Sequence, residues 1–506
     1  MAGWKQWIPI AAALILLGSA TAVAFVSDTD SGEGSFTIIH TNDTHCFFDG
    51  DGGVGFSTVS ALRDAYSKDR TVFTVDAGDF LQGNSYGTMT EGEGSIQIMN
   101  TVGYDLTVPG NHEFDYGLDV FMERVGQLNF PVICANLVYE DSGESVFSEY
   151  LILERGGVRV GFFGLLTMET EVTAMAGNMG NTHVTDPIGA AERMVSTLQK
   201  EDVDSIVAVG HLGVNKEGYT TSDELCKYVP GIDIFIDGHS HTEMEDGKVC
   251  DGSVVLEESN TVIASTGSYL HNVGVITSGP DGISAKLYRG PALTYASTDA
   301  AISSVTTAVD EMLKAVIGRT EVLLVGERNL IRNGETNLGD LVADIIREST
   351  GADIAIINSG SLRTSVDVGD ITKKMVYDVV PFLNFTCTLN VPGSVLWEEM
   401  EFSLGRIGQT NGGYLQFSGM TVIYDPDAAA GSRVTSIQVG GAEVDKGATY
   451  VLATTDYVAT GGDGNTILKD YEIHMNSGLD TVLMDRISDL GTITDATIEG
   501  GRLIAV

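Results

Sequence analysis

Basic residues are scarce in this chain: 28 lysines and arginines stand against 70 aspartates and glutamates over 506 residues, a formal net charge of −42. A surface that acidic repels nucleic acid and anionic lipid headgroups, which argues against a role on nucleic-acid polymers. It also opposes long-range steering of any anionic ligand, so an anion site must rely on local cations. The acidity reads as a solubility adaptation to salty surroundings, where screening is short-ranged. Activity that peaked in low salt and vanished at molar salt would contradict that reading. Cysteine is also sparse. Five is an odd number and too few for a disulfide scaffold, although Cys226 and Cys250 flank one strand-loop region where they could pair. Cys46 reads as a small buried hydrophobe. Prolines number 10 against 61 glycines, which fits many strand-to-loop junctions at positive φ. No long apolar run closes the sequence, so a C-terminal membrane anchor is not expected, and no short-period repeat is visible.

What is present describes a globular protein: 43% hydrophobic and 19% charged residues, in a chain long enough to favour two large domains. Met1 to Val26 reads as an export segment. Lys5 supplies the positive start, Trp7 to Val26 carries no charge, and Ala20-Thr21-Ala22 offers a small-residue cleavage site. The uncharged stretch is also long enough to span a bilayer if left uncut, so a signal peptide and an N-terminal anchor both stand. Ser27 to Ser35 is a polar leash.

From Phe36 to about Pro291, apolar β-branched runs end repeatedly at polar clusters. Phe36 to His40 leads into Asn42-Asp43-Thr44-His45, and Thr71 to Val75 into Asp76-Ala77-Gly78-Asp79. Tyr104 to Val108 leads into Pro109-Gly110-Asn111-His112-Glu113-Phe114-Asp115. Ser205 to Val209 leads into Gly210-His211-Leu212-Gly213, and Ile232 to Ile236 into Asp237-Gly238-His239-Ser240-His241. Phe130 to Cys134 and Val158 to Leu165 read as strands without chemistry. Strands alternating with helical segments predict a layered α/β domain, in which loops leaving the carboxyl ends of strands collect functional groups. Asp43, His45, Asp79, Asn111, His112, Asp115, His211, His239 and His241 offer enough oxygen and nitrogen donors for two metal ions, with a carboxylate such as Asp79 as the bridge. Paired ions bind an oxyanion ester and activate water, so the reaction class is phosphate-ester hydrolysis. His40, His183, His271 and His474 read instead as core histidines.

Beyond a helix predicted over Ser297 to Ile317, the chain changes character. A helix from Asn337 to Ser349 and a strand from Ile354 to Ile357 begin a second α/β domain. Arg328, Arg332 and Arg363 stand out in so acidic a protein, beside the loops Pro381 to Asn384 and Asp456 to Gly464. Arginine forks bind phosphate bidentately, and aromatic faces stack a base without reading its identity.

Taken together, NDTH, DAGDF, GNHEFD, GHLG and GHSH resemble the metallophosphoesterase signature of the secreted 5′-nucleotidase family, which includes bacterial UDP-sugar hydrolases and animal ecto-5′-nucleotidases. The likeness runs from about Phe36 to the C-terminus. It implies a four-layer αββα metallophosphoesterase sandwich over 36–296, a connecting helix and hinge over 297–325, and a C-terminal mixed α/β nucleotide-binding domain over 326–506, after an export segment and leash at 1–35. By resemblance, one divalent ion (zinc, manganese or cobalt) is held by Asp43, His45, Asp79 and His241, the other by Asp79, Asn111, His211 and His239. His241 stands where relatives often carry Gln or Asn. His112 and Asp115 match the catalytic dyad. Asn358 to Arg363 resembles the NGGGIR loop, with serine at 359 and 361. Arg328 and Arg332 match substrate-contacting arginines of bacterial members, Phe382 and Tyr457 the base-stacking aromatics, and Asp463 the acid of nucleoside recognition; Asn384 joins them as a substrate-binding candidate. The implied activity is an extracytoplasmic 5′-nucleotidase that closes its domains over a nucleotide, with UDP-sugars and nucleoside di- and triphosphates as further candidates. Membrane contact is expected only through the N-terminus. The rivals are a 2′,3′-cyclic-nucleotide phosphodiesterase/3′-nucleotidase, a thiosulfohydrolase, and a surface binding protein with a vestigial site. The aromatic pair speaks against the thiosulfohydrolase, and the intact ligand set against the binding protein.

Overall fold

The computed structural model describes residues 34–506 apart from 51, 175–176, 216–217, 246–247, 250–260 and 383. The export segment and Cys250 therefore lie outside the described residues. Two five-stranded sheets form the centre of the first domain. In one, the strands Phe36–Thr41, Thr71–Asp76 and Leu106–Thr107 run parallel, with Phe36–Thr41 also antiparallel to Val273–Gly279 and that strand to Gly282–Tyr288. In the other, Val158–Leu166, Ser205–His211, Ile234–Asp237 and Val262–Ala264 are parallel, and Tyr150–Arg155 is the antiparallel edge.

Strands such as Phe36–Thr41 and Ser205–His211 are buried along their whole length, which explains their continuous rather than alternating apolar pattern. The inner faces meet in a dry layer containing Ile38, Phe73, Phe162, Val207 and Ile236. Phe73 and Phe162 pack edge to face at 5.7 Å; truncating either to Ala costs about 3–5 kcal/mol by the usual cavity arithmetic. Helices cover both outer faces: Gly55–Tyr66 and Glu93–Val102 on the first sheet, Pro187–Leu198 and Ser222–Tyr228 on the second. The result is the αββα sandwich.

Two expected strands shrink. Tyr104 to Val108 contributes only Leu106–Thr107, and Phe130 to Cys134 forms only isolated bridges, Thr107 to Val132 and Ile133 to Ser148. The physical reason is position. Ile133 donates to Thr107 O of one sheet while Ala135 donates to Gly164 O of the other, so this segment ties two sheet edges together and extends neither. The histidines expected in the core also divide. His40 is buried and its imidazole pushed down to about 3 by burial, whereas His183, His271 and His474 are exposed, His183 paired with Glu171.

The segment expected as one connecting unit divides as well. The helix Ala296–Leu313 is docked on the first domain, with Ser57 donating to Asp299 at 2.5 Å, Ser60 bonded to Thr298 at 2.7 Å, and Val305 inside the first core. The next strand, Val316–Thr320, pairs with Gly369–Thr372 and Thr492–Ile493 of the second domain. The crossing point is therefore Lys314-Ala315, and the second body starts about ten residues before the expected 326.

The second domain is built on a mixed sheet of Leu415–Ser418, Ile354–Asn358, Thr449–Thr455, Phe385–Pro392 and His474–Gly478. Helices Asn337–Thr350, Lys373–Val379 and Leu479–Leu490 cover one face, and Gly393–Leu404 the other. The helix Asn337–Thr350 starts where Thr336 accepts the Gly339 amide and ends at Gly351, whose φ of 66° lets the chain leave in the left-handed region. Among the described residues no helix is long and apolar enough to cross a membrane.

Candidate active site

Because the catalytic strands of both sheets are parallel, their carboxyl ends open toward one rim. Asp43 and His45 follow the first strand, Asp79 the second, Asn111 to Asp115 the third; His211 ends its strand, and His239 and His241 follow Ile234–Asp237. Five of these residues, Asp43, His45, Asp79, His239 and His241, have φ between 48° and 79°. That left-handed backbone costs a side-chain-bearing residue on the order of 1–3 kcal/mol, and such strain collects at functional sites. Cross-loop bonds hold it in place: Asp43 N donates to Gly78 O and His45 N to Asp79 O, both at 2.9 Å. Two glycines are demanded by proximity. A Cβ at Gly110 would stand 2.2 Å from Asp79 Oδ1, and one at Gly238 would stand 2.7 Å from His211 Nδ1.

The donor atoms converge. Asp43, His45 and His241 offer ligand atoms within 4.8 Å of one another, as do Asp43, Asp79 and His211. His211 Nε2 is 3.0 Å from Asp79 Oδ2, and His241 Nε2 is 3.4 Å from Asp43 Oδ1. His45 Nε2 lies 3.1 Å from His241 Nε2. The tautomers are set from behind. His45 Nδ1 donates to Gln82 O at 2.8 Å and His211 Nδ1 to Ala77 O at 2.7 Å, which turns both Nε2 atoms inward. His239 is oriented the other way round. Its Nε2 faces Glu169 Oε2 at 2.7 Å, leaving Nδ1 toward Asn111 Oδ1 at 3.0 Å. Burial opposes charge throughout, yet Asp79 and Asp43 push His211 up to about 10, and His211 and His112 hold the Asp79 carboxyl well below its ordinary value. His45, by contrast, is pushed down to about 4 by burial and stays neutral.

His112 stands at the edge of this cluster, with a ring nitrogen within 4.8 Å of donor atoms of His45 and Asp79. Its amide donates to Asp79 Oδ1 at 2.9 Å, and its Nδ1 pairs with Asp115 Oδ2 at 2.8 Å. Burial works against its charge, but Asp115 and Asp79 outweigh it and push the imidazole up to about 10.

In the second domain, Arg328 and Arg332 bracket the short helix Arg328–Ile331. Arg332 is 8% exposed, and its Nε has no hydrogen-bond partner among the described residues. Burial lowers its pKa first, then repulsion from Arg328 and Arg363, so the three guanidinium groups share one field. Arg363 lies over the Phe382 ring at 5.4 Å. Phe382 and Tyr457 are 49% and 41% exposed, unusual for large aromatics. Asn358 Nδ2 donates to Asp463 Oδ2 at 2.8 Å, while Asn384 Nδ2 is turned inward to Ser361 Oγ at 3.3 Å. The two domains touch at the rim, where the Phe385 ring stacks on His112.

Residues 36–243 match the calcineurin-like phosphoesterases, and residues 316–470 match the 5'-nucleotidase C-terminal domain. The chain belongs to the two-domain 5′-nucleotidase family. It is 28% identical to a snake venom 5'-nucleotidase of Crotalus adamanteus, over 97% of this chain and 92% of that protein. It is also 28% identical to the trifunctional nucleotide phosphoesterase protein of Bacillus subtilis over 92% of its own length, but spans only 34% of that longer protein. A solved 5'-nucleotidase precursor from Thermus thermophilus superposes with a TM-score of 0.57 at 26% identity, covering 93% of this chain and 99% of the other.

Membership makes the chain a metal-dependent phosphoester hydrolase, of a family that uses a dimetal centre. The residues fit such a centre. His211 Nε2 is fully buried and turned inward, 3.0 Å from Asp79 Oδ2 but without a well-formed hydrogen bond among the described residues, and the facing acceptors of His239 and Asn111 are an arrangement that a cation satisfies. Several supporting residues were not foreseen from the sequence. Glu113 is fully buried and accepts the amides of Asp79, Phe80, Leu81 and Gly110. Asp237 does the same for Leu212, Gly213 and Gly238. Both stand inside the motifs, so the available signal was a carboxylate with no obvious ligand role. Glu169 and Phe385 lie in segments without a motif of their own, and only the fold brings them to the site; Ser361 stands inside the Asn358 to Arg363 loop, where its bond to Asn358 could not be read from the sequence.

Proposed function

We propose that this chain is an extracytoplasmic 5′-nucleotidase, releasing phosphate from nucleoside 5′-phosphates held between its two domains. The observation that carries this reading is the meeting of unlike halves. A metal-ligand cluster in the first domain ends at His112, and His112 stacks on Phe385, three residues beyond the exposed Phe382 of the second.

On this reading Asp43, His45, Asp79 and His241 hold one divalent ion, and Asp79, Asn111, His211 and His239 the other. Such a pair, when bound, supplies activated water and neutralises charge building on phosphorus. The chain's own groups do the rest. His112, kept protonated and oriented by Asp115, donates to a phosphoryl oxygen. Arg328, Arg332 and Arg363 supply the local positive field that an anionic substrate needs in a protein of net charge −42. Phe382 and Tyr457 stack the base, and Asn358 and Asp463 bind the nucleoside; Asn384 supports this loop from inside. UDP-sugars and nucleoside di- and triphosphates are further substrates for the same site. Closure of the domains turns on Lys314-Ala315, where the docked helix ends and the second domain's first strand begins. The extracytoplasmic placement rests on the Met1 to Val26 segment.

The test is a phosphate-release panel over AMP, ATP, UDP-glucose, 3′-AMP and 2′,3′-cAMP, each with Mn²⁺, Zn²⁺, Co²⁺ and Mg²⁺. Release from AMP is expected. Turnover of 3′-AMP and 2′,3′-cAMP without AMP turnover would replace this reading by the cyclic-nucleotide one. A disulfide engineered across the domain contact that left turnover unchanged would remove domain closure from the mechanism.

A further inference from the structure

A single run of hydrogen bonds crosses the second domain's nucleotide loops. Asn384 Nδ2 donates to Ser361 Oγ at 3.3 Å, and Ser361 Oγ donates to Asn358 Oδ1 at 2.6 Å. Asn358 Nδ2 donates to Asp463 Oδ2 at 2.8 Å, and from the far side the Tyr457 hydroxyl donates to Asp463 Oδ1 at 3.3 Å. The Tyr457 oxygen also accepts the Asp463 amide at 3.1 Å. The polarity of the run is dictated by its end. An ionised Asp463 can only accept, so Asn358 must turn its NH₂ to it. The Asn358 carbonyl then faces Ser361, whose hydroxyl must donate, which leaves a serine lone pair for Asn384. Each donor points toward Asp463, and the Asn358 amide cannot flip without breaking two bonds.

The carboxylate at the centre is held in an unusual pose. Asp463 has φ 51°, a left-handed backbone for a residue with a side chain. Its side chain also lies against a glycine bed: a Cβ at Gly360 would meet Asp463 Oδ2 at 3.0 Å, and one at Gly412 at 3.1 Å. Ser361 and Asn358 are 2% and 3% exposed, while Asp463 is half-buried and Tyr457 opens to solvent. The buried end of the run therefore sets the direction of the open end.

Resting on the nucleotidase reading above, we infer that Ser361 and the Tyr457 hydroxyl are positioning residues that aim Asp463, as an acceptor only, at a hydrogen-bond donor on the nucleoside part of the substrate. Ser361 touches no substrate; it acts through Asn358. The Tyr457 ring has a second task besides stacking, because its hydroxyl closes the run. Removing either hydroxyl leaves Asn358 or Asp463 free to rotate and weakens nucleoside binding without changing the chemistry at phosphorus.

The experiment compares the metal-loaded wild type with Ser361→Ala, Tyr457→Phe and the double variant, on AMP and on p-nitrophenyl phosphate, an ester with no nucleoside. Each single variant is expected to raise KM for AMP roughly three- to tenfold with kcat little changed, the range set by the loss of one partly buried hydrogen bond. The double variant is expected to fall short of the product of the two, because both act on Asp463. Kinetics of Ser361→Ala on p-nitrophenyl phosphate should match wild type, which also reports that the variant is folded and metal-loaded. If wild type prefers AMP but neither variant shifts its KM, the inference is overturned and the nucleotidase reading stands. If wild type shows no preference for AMP over p-nitrophenyl phosphate, the nucleotidase reading fails and the inference falls with it. Strictly multiplicative effects would show two independent contacts and would also overturn the inference.

Discussion

The ring of His112, in the first domain, stacks on that of Phe385, in the second, with centroids 6.1 Å apart and planes inclined by 28°. Phe385 thereby covers the proposed acid while Phe382, in the loop just before that strand, faces solvent. The two rings should separate kinetically. Phe385→Ala is expected to lower kcat by roughly tenfold on AMP and p-nitrophenyl phosphate alike, since it exposes His112 to water. Phe382→Ala should instead raise KM for AMP by a similar factor and leave the smaller ester nearly unaffected. Steady-state kinetics on both substrates decides, and equal effects on the two esters from Phe382→Ala would remove the base-stacking role.

Asn111 and His112 are neighbours with different assignments. Asn111→Ala should reduce bound metal by about one equivalent, because its amide oxygen faces His239 in the cluster. His112→Ala should keep its metal and lose roughly a hundredfold or more in kcat, the usual range for a removed proton donor. Metal analysis of dialysed protein beside single-turnover rates distinguishes the two.

Glu113 carries four backbone amides on one buried carboxylate. Glutamine at 113 keeps the shape but presents an NH₂ to amides that need an acceptor. Glu113→Gln should cost about 2 kcal/mol or more of stability, from unsatisfied buried donors, and weaken metal retention by loosening Asp79. Denaturant titration with and without divalent metal measures both; unchanged stability would mean that the loop is held by something else.

Chelation has a structural readout as well as an enzymatic one. Ligands held at strained left-handed backbone positions are stabilised when a cation draws them together. Removing metal with EDTA should lower Tm, and readdition at a hundredfold over Kd should restore about 2.7 kcal/mol by mass action. A Tm insensitive to chelation would argue that the cluster binds no ion.

Glu399 predicts a pH dependence outside the active site. It is fully buried, Asn465 donates to its Oε2 at 2.6 Å, and its Oε1 has no partner among the described residues. Burial pushes its carboxyl up to about 7, with the Asn465 bond pulling the other way. A folded-state pKa above the unfolded one means that the folded protein holds the proton more tightly. The contribution to stability is therefore full below the unfolded value near 4.5 and is lost as pH rises through 7. Glu399→Gln keeps the acceptor for Asn465 and removes the charge, so its Tm should exceed wild type at about pH 8 and converge with it near the unfolded pKa. The opposite ordering in alkaline buffer would mean that Glu399 is ionised and satisfied in the fold.

Much of the fold and of the site was legible along the chain, because parallel, fully buried strands leave continuous apolar runs and the groups they present must follow at once. Asp43, Asp79, Asn111, His211 and His239 each sit within a few residues of such a run. Local spacing alone therefore determined the two α/β bodies, the rim where the loops collect, and the donor types. Only the tertiary structure decided what crosses between loops. Glu169 is 70 residues from His239, Ser361 is 23 from Asn384, and Phe385 comes from a different domain than His112. It also decided that Phe130 to Cys134 ties two sheets instead of extending one, and that the helix Ala296–Leu313 belongs to the first body. Periodicity reports how one segment meets the core. It carries no information about which distant amide, carboxylate or ring will be waiting there, since that depends on how whole layers pack.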